Sequence, residues 1–257
     1  MTATRDGGQP VALVTGAGRG IGRAVAVRLS REGYRVALTA RSDDELAGTA
    51  ALLVGEFLVR PADMLDPAAP DTVVTAVEGV WGPVSVLVAN AGAGSSAPVA
   101  RLSDEVWART LELNLTAPFR AVRRVVPGMV AAGSGRIVVV ASMAAKRGEP
   151  YLAAYCAAKH GVLGLVRSTA AELATTGVTA NAVCPAYVDT AMTDGAVATI
   201  VASTGRTAED ARRVLERKQP IGRLITVDEV AEAVWFCVAN AAVTGQGINV
   251  DGGAVHS

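Results

Sequence analysis

Residues 11–22 read "VALVTGAGRGIG", and this stretch decides the fold. Its first half is a short apolar run rich in β-branched residues, which is typical of a buried strand. Its second half has glycines at positions 16, 20 and 22 and leads directly into a helical pattern. In that context Gly16 permits a tight turn, Gly20 lets the backbone approach a ligand, and Gly22 lets the helix pack closely on the strand. The free N–H groups at the helix start favour a pyrophosphate, so the stretch predicts dinucleotide binding.

The same alternation of strand and helix continues along the chain. Five more apolar runs, each typical of a strand covered on both faces, occur at 35–40, 84–92, 136–142, 178–185 and 247–253. Two sequences with capping-box spacing, "SDDE" at 42–45 and "TVDE" at 226–229, predict helix starts between such runs. We therefore expect an α/β protein: a single-domain Rossmann fold whose doubly wound parallel sheet of about seven strands has helices on both faces.

The chain length of 257 residues suits one α/β domain, so we take 1–257 as a single dinucleotide-binding and catalytic domain. The least regular stretch, at about 190–220, lies between the last two of these runs. We expect a pair of helices there that covers the carboxyl ends of the strands and acts as a substrate lid. A disordered insertion is the alternative.

Composition excludes several classes of partner. The 24 Lys and Arg balance the 24 Asp and Glu, and no basic tract is long enough to follow a phosphate backbone. We therefore expect neither nucleic acid nor a membrane surface as a partner. The first ten residues are polar, no apolar stretch approaches the ~20 residues that span a bilayer, and three scattered cysteines indicate neither metal nor redox chemistry. A cytoplasmic protein without a metal site is the expectation.

The end of the second predicted strand bears on the choice of coenzyme. Ala40 stands where an acidic residue would accept hydrogen bonds from an adenosine ribose with free hydroxyls. Arg41 follows it and Arg19 projects from the glycine loop, and two guanidiniums suit a 2′-phosphate. Asp43 and Asp44 are rival ribose acceptors, although the capping box already gives them a structural role. We favour NADP(H) as the cofactor, and NAD(H) stays the alternative.

A phenol and an ammonium lie one helical turn apart in "YCAAK" at 155–159. Tyr155 and Lys159 share a helix face, and a nearby ammonium favours the phenolate, so we expect the tyrosine pKa to be lowered. The helix follows the strand that ends at Ser142, whose hydroxyl then stands beside the phenol. A carbonyl at this point would be polarised by both hydroxyls while hydride reaches its carbon.

In these motifs the chain resembles the short-chain dehydrogenase/reductase family over essentially its full length. The matching pieces, in order, are "TGAGRGIG" at 15–22, "NAG" at 90–92, Asn114 in "ELNLTAPF", Ser142, "YCAAK" and "NVDGG" at 249–253. The resemblance implies a catalytic tetrad of Asn114, Ser142, Tyr155 and Lys159. Tyr155 would be the general acid or base and Ser142 would orient the substrate oxygen. Lys159 would hold the nicotinamide ribose, and Asn114 would anchor a water that relays protons to Lys159.

The resemblance also implies a cofactor-binding set. Asp63 would contact adenine, Asn90 would support the sheet and the adenosine, and Val188 and Thr190 would meet the nicotinamide carboxamide and phosphates. One position departs from the family, because Ala186 follows Pro185 where a glycine is usual. The full expected set is Gly16, Arg19, Gly20, Ile21, Gly22, Arg41, Asp63, Asn90, Gly92, Tyr155, Lys159, Pro185, Val188 and Thr190.

Two subfamilies compete for the substrate. The chain looks most similar to bacterial polyketide and 3-oxoacyl ketoreductases, which implies a ketone, free or thioester-bound, that is reduced to a secondary alcohol. It also resembles 3-hydroxybutyrate dehydrogenases, which oxidise a small hydroxy acid with NAD. By that resemblance, the stretches that grip the acid carboxylate supply only Gly94, Ala144 and Leu152 here, which would leave a free carboxylate unpaired and so disfavours the small acid. An apolar pocket of these residues with Tyr187 would suit a bulkier ketone or alcohol.

Three further points concern a carrier partner, the class of protein and the oligomeric state. Arg147, Arg101 or Lys146 would bind the phosphopantetheine arm of a carrier that holds the substrate. The alternative is that these side chains are only solvated. A dinucleotide-binding sensor or scaffold without turnover is the alternative from another class. The resemblance implies a homotetramer formed through the helix that carries Tyr155 and the helix before it, and the alanine-rich sequence of the former allows close helix approach.

Overall fold

The computed structural model describes residues 8–255. Its elements alternate through the chain as β1 (Val11–Thr15), α1 (Gly20–Arg31), β2 (Arg35–Thr39), α2 (Asp43–Ala50), β3 (Phe57–Val59), α3 (Ala69–Trp81), β4 (Val86–Ala89), α4 (Asp104–Leu111), α5 (Ala117–Ala132), β5 (Gly135–Val140), α6 (Ala153–Glu172), β6 (Val178–Pro185), α7 (Ala191–Thr204), α8 (Ala208–Arg217), α9 (Val227–Ala239) and β7 (Gly247–Val250). A π-helical turn, Glu112–Thr116, joins α4 to α5. The polar residues 1–7, part of the stretch behind the expectation of a cytoplasmic protein, lie outside the described residues.

The strands form one parallel sheet in the order β3-β2-β1-β4-β5-β6-β7. The strand order reverses between β1 and β4, and a crevice for ligands opens beyond the carboxyl ends of the strands at such a point. The predicted doubly wound Rossmann fold is confirmed.

Apolar side chains cover both faces of the sheet. On one face α3, α5 and α6 contribute residues such as Val74, Val125 and Val162 to a buried cluster. On the other face α1, α2 and α9 contribute residues such as Val25, Leu46 and Val234. The central strands are buried on both sides, which explains why their sequences are apolar throughout rather than alternating.

One strand of the sheet, β3, was not among the apolar runs that predicted strands from the sequence. β3 has only three residues, its Phe57 is 46% exposed, and it lies at the sheet edge beside β2. A strand this short and half exposed carries too few apolar residues to produce a pattern.

The stretch at about 190–220 contains two helices, α7 and α8, as the sequence indicated. Its action as a lid stays a prediction. Within residues 8–255, no helix combines the length and apolar character needed to cross a membrane.

Candidate active site

The glycine loop packs so tightly that two of its glycines cannot carry side chains. Gly16 has φ +65°, and a β-carbon there would lie 2.8 Å from the amide nitrogen of Asn90. A β-carbon on Gly22 would lie 2.1 Å from the carbonyl oxygen of Gly16. Gly22 therefore sets the close approach of α1 to the loop, as its place in the motif predicted.

Asn90 fastens this loop to the neighbouring strand. Its side-chain amide donates to the carbonyl oxygens of Thr15 (3.0 Å) and Gly16 (3.1 Å), and its backbone N–H donates to the Thr15 hydroxyl (3.0 Å). These bonds join the ends of β1 and β4, which are adjacent in the sheet. The side chain expected to support the central sheet thus holds the glycine loop in shape.

The start of α1 fits the phosphates of a dinucleotide. The side chain of Arg19, the residue before α1, does not cap this helix. The N–H groups in the first turn of α1 therefore remain available to an anion. Gly20 has φ +53°, and a β-carbon there would lie 3.3 Å from the Thr190 methyl group. Thr190, at the start of α7, therefore lies against the loop, as expected for a residue that contacts the same phosphates. The binding itself stays a prediction.

At the predicted adenosine end of the coenzyme site, the structure contains a contact between Arg19 and Glu45 that the sequence did not predict. Arg41 is exposed and forms no ion pair with any residue in 8–255, whereas Arg19 faces Glu45 with 3.7 Å between Arg19 Nε and Glu45 Oε1. Ser42 accepts from the Glu45 N–H (3.2 Å), but only half of the predicted capping box forms in α2. Asp63 accepts from the Leu65 N–H (3.0 Å), a turn role that leaves the expected adenine contact untested.

Ser142 and Tyr155 meet at the carboxyl edge of the sheet. Ser142 follows β5, and its hydroxyl accepts from the Ala144 N–H (3.1 Å). The phenol of Tyr155 lies within hydrogen-bonding reach of this hydroxyl. Burial raises the pKa of Tyr155 to about 12, and the Ser142 hydroxyl partly offsets that rise. The sequence expectation of a lowered tyrosine pKa is therefore wrong for this structure, because burial outweighs every other influence.

Lys159 shares the helix face of Tyr155, as its spacing predicted, but it lies over the ring. Its Nζ is 5.5 Å from the ring centroid and donates to the Val140 carbonyl oxygen (3.0 Å). The lysine residue is only 4% exposed, and burial lowers its pKa to about 8. Burial, rather than the ammonium, therefore dominates the pKa of the phenol in this structure.

Asn114 lies in the π-helical turn between α4 and α5. Its side-chain amide donates to the carbonyl oxygens of Ala93 (2.9 Å) and Thr110 (3.0 Å). Its Oδ1 is buried and has no partner in residues 8–255. A β-carbon on Gly92 would lie 2.8 Å from that oxygen and 3.7 Å from Lys159 Nζ, so both groups border one small space. An orphaned acceptor beside an ammonium fits the expected bridging water.

The segment after β6 accommodates its unusual alanine. Ala186 donates its N–H to Val250 (3.1 Å), and its φ is not positive. Alanine therefore takes this backbone without strain. Pro185 ends β6, and the carbonyl oxygen of Val188 accepts from the Thr193 hydroxyl (2.5 Å) at the start of α7.

The four predicted pocket residues have different surroundings. Ala144 is 2% exposed, Leu152 and Tyr187 are partly buried, and Gly94 is exposed. Next to Leu152, Tyr151 has φ +68° and is 64% exposed, a strained backbone for a bulky residue. The pocket itself stays a prediction.

A charged network beside these residues escaped the sequence analysis. The Glu149 carboxylate, with its side chain 7% exposed, accepts from Arg147 (2.6 Å) and lies 3.3 Å from Lys218 Nζ. Lys218 also donates to the Tyr187 hydroxyl (3.2 Å). The network joins the segment after β5 to the end of α8. It could not be foreseen because Glu149 and Lys218 are 69 positions apart.

Comparison with known proteins places this geometry among enzymes. The family model described as short chain dehydrogenase matches residues 10–200. A protein of Streptomyces coelicolor named "Putative ketoacyl reductase" is 41% identical, and the match covers 98% of each chain. The 3-oxoacyl-acyl-carrier-protein reductase of Escherichia coli is 34% identical, with 95% of this chain and 96% of the relative covered.

Two solved structures share the fold. A single-substitution variant of actinorhodin polyketide ketoreductase, solved with NADPH, has a TM-score of 0.92 at 40% identity and covers 98% of this chain and 99% of its own. Levodione reductase has a TM-score of 0.90 at 30% identity, with 96% and 97% covered.

Proposed function

Because the chain belongs to the short-chain dehydrogenase family, an oxidoreductase family, we propose that it reduces a ketone to a secondary alcohol with NADPH. One observation carries the proposal: Ser142 and Tyr155 bring their hydroxyls together at the carboxyl edge of the sheet, close enough for Ser142 to lower the pKa of the phenol. Two donors at one point can hold a substrate oxygen and stabilise the charge that develops on it.

Each tetrad residue has a role that its surroundings support. With a pKa of about 12, Tyr155 is protonated at neutral pH, so it can donate a proton to the forming alkoxide. Ser142 orients the carbonyl oxygen through its own hydrogen bond. Lys159 holds the cofactor ribose, and Asn114 holds the water that passes protons to Lys159. When bound, the nicotinamide coenzyme supplies the hydride.

The choice of NADPH rests on two arginines and one relative. Arg19 stands just before α1 and Arg41 just after β2, both are expected to bind an adenosine 2′-phosphate, and Arg41 is exposed. The actinorhodin ketoreductase, 40% identical to this chain, was solved with NADPH. We expect Arg41→Ala to weaken NADPH binding more than NADH binding, because only NADPH carries the phosphate.

The substrate proposed is a 3-oxoacyl or polyketide-like ketone, free or thioester-bound, or another bulky carbonyl compound. The names of the ketoacyl and 3-oxoacyl-acyl-carrier-protein reductases support it. The partly buried Leu152 and Tyr187 offer apolar surface of the kind that such a substrate needs. An NAD-dependent alcohol or 3-hydroxybutyrate dehydrogenase is the alternative.

We also propose a homotetramer. Phe119 and Val130 on α5, and Trp107 on α4, are each exposed by about two fifths, although they are large and apolar. Exposed apolar side chains on neighbouring helices are typical of subunit contacts.

A substrate and coenzyme panel tests the function. The purified protein is assayed for NADPH and NADH oxidation with a bicyclic ketone and a 3-oxoacyl thioester, and for NAD reduction with 3-hydroxybutyrate. Faster NADPH turnover with either ketone is expected. Turnover only with NAD and 3-hydroxybutyrate would establish the alternative instead.

Tyr155→Phe separates an enzyme from a binding protein. Loss of the donated proton should lower kcat by about 10²- to 10⁴-fold while the dissociation constant of NADPH stays near that of the wild type. Near wild-type turnover would contradict the catalytic assignment. Coenzyme binding without turnover in the wild-type protein would favour the sensor.

A further inference from the structure

Glu45 has a second contact that its place in a helix cap does not explain. Its backbone N–H donates to the Ser42 hydroxyl, yet its carboxylate lies 3.7 Å from Arg19 Nε. In α9 the equivalent carboxylate of Glu229 returns to the Thr226 N–H (2.8 Å) and closes the box. The Glu45 carboxylate is thus turned toward the glycine loop instead of its own cap.

The backbone of Glu45 is fixed in this place. Arg23 donates to the Gly18 carbonyl oxygen (3.1 Å) and to the Thr49 hydroxyl (3.0 Å), which in turn donates to the Ala17 carbonyl oxygen (2.9 Å). These bonds clamp α2 to the loop. A β-carbon on Gly18 would lie 2.8 Å from the Glu45 β-carbon and 3.0 Å from its Oε2, so Gly18 leaves just enough room for this side chain.

From these contacts we propose that Glu45 limits the preference for NADPH by competing with the 2′-phosphate of that coenzyme for Arg19. The inference rests on the proposed use of NADPH. Without the phosphate, the carboxylate neutralises the guanidinium. With the phosphate, two anions face one cation at close range, and their repulsion weakens NADPH binding. NADH has no such phosphate, so its binding does not depend on the competition between the phosphate and the Glu45 carboxylate for Arg19.

The exposure of the pair suits a shared cation. The side chains of Arg19 and Glu45 are 63% and 40% exposed, and an ion pair this open is weak and readily broken. Arg41 has no acidic partner within the described residues and stays available to the phosphate. Glu45 therefore limits the preference for NADPH without abolishing it.

Fluorescence titration of the full-length protein with NADPH and with NADH tests the proposal through dissociation constants. Glu45→Gln keeps the side-chain size and removes the charge. It should tighten NADPH binding about three- to fivefold, a range that an exposed pair supports, and change NADH binding less than about twofold. The gain should shrink at high salt because the charges are exposed.

Two further variants identify the cause. Asp44→Asn removes the same charge from the same helical turn without a contact to Arg19, and it should give a smaller gain. In an Arg19→Met background, Glu45→Gln should give a clearly smaller gain, because only the direct repulsion of the phosphate remains. Thermal unfolding of each variant verifies that the fold is intact. In Glu45→Gln we expect no loss of stability, because the backbone N–H of residue 45 still donates to the Ser42 hydroxyl.

Three results would overturn the proposal: an unchanged NADPH constant in Glu45→Gln, an equal gain for both coenzymes, or a gain of full size without Arg19. The proposed function fails separately. A wild-type preference for NADH would refute the use of NADPH, while an Arg19-dependent shift in the ratio of the two constants would still uphold the role of Glu45.

Discussion

Lys159 combines deep burial with the chemical role proposed for it, and the two requirements conflict. Its pKa falls from 10.5 to about 8 because burial penalises the charged form. The folded protein therefore holds a proton on Lys159 less readily than the unfolded chain does. This cost to stability is full below pH 8 and disappears as the pH rises toward 10.5.

Lys159→Met should make that cost visible. Removing the charge should raise the melting temperature relative to wild type below the lysine pKa of about 8, and the difference should shrink above it. The lost hydrogen bond to the Val140 carbonyl oxygen lowers the stability of the variant and offsets part of this gain. Melting curves across this pH range measure the effect; a constant difference would show that Lys159 is not penalised by burial.

At the scale of single residues, the sequence predicted neighbours better than environments. The spacing of Tyr155 and Lys159 places both on one face of α6, and the structure confirms it. The direction of the tyrosine pKa shift was wrong because spacing along a helix does not reveal depth of burial. The carboxylate of Glu45 was assigned to a cap for the same reason, since local spacing cannot show a competing partner such as Arg19.

At the scale of elements, the close contact between the glycine loop and α1 makes Gly22 irreplaceable. Gly22→Ala would drive a methyl group against the Gly16 carbonyl oxygen, where only 2.1 Å is available. We expect a loss of about 1–3 kcal/mol in unfolding free energy, together with weaker coenzyme binding. Denaturant unfolding and NADPH titration provide the two measurements.

Gly48→Ala is the matched control for that substitution. Gly48 lies in α2, is exposed, and would place its new methyl group at an ordinary 3.6 Å from Arg23. Better helix propensity should stabilise this variant by up to about 1 kcal/mol. Equal losses in both variants would show that the packing around Gly22 is not the cause.

The contact between α8 and the segment after β5 should depend on Lys218. Lys218→Met breaks the bonds to Glu149 and Tyr187 and leaves a carboxylate that is 7% exposed with one partner fewer. Hydrogen exchange in α8 should accelerate, and KM should rise more than kcat falls, because α8 is expected to cover the substrate. Arg213→Met breaks only the exposed pair with Glu209 and should change neither quantity. Unaltered hydrogen exchange in α8 of Lys218→Met would show that the charged network around Glu149 does not hold α8 in place.

At the scale of the whole molecule, the alternation of strands and helices was sufficient to predict the fold class. Parallel strands with right-handed crossovers permit few arrangements, so six apolar runs indicated a doubly wound parallel sheet, and the structure adds its strand order. Contacts between distant segments were not predictable. Arg147 and Lys218 meet through Glu149 only because the fold brings the end of β5 beside the end of α8.

The oligomeric state is also decided at this scale. If α5 forms a subunit contact, Phe119→Glu should dissociate the tetramer, because a charge cannot be buried there without a partner. Leu52→Glu is the control, since Leu52 is exposed (53%) beside the edge strand β3. Light scattering coupled to size-exclusion chromatography gives the mass of each. A wild-type monomer, or dissociation by both variants, would refute the proposed interface.

The sheet separates the parts that must stay constant from the parts that can change. The glycine loop, Asn90 and Ser142 follow directly from the ends of buried central strands. Tyr151, Leu152 and the helices α7 and α8 lie in connections outside the sheet. Directed evolution toward new ketones should therefore concentrate its mutant libraries on 147–152, Tyr187 and 191–220. Most variants there would keep the hydride-transfer apparatus intact, whereas random mutagenesis of the strands would mainly yield unfolded clones.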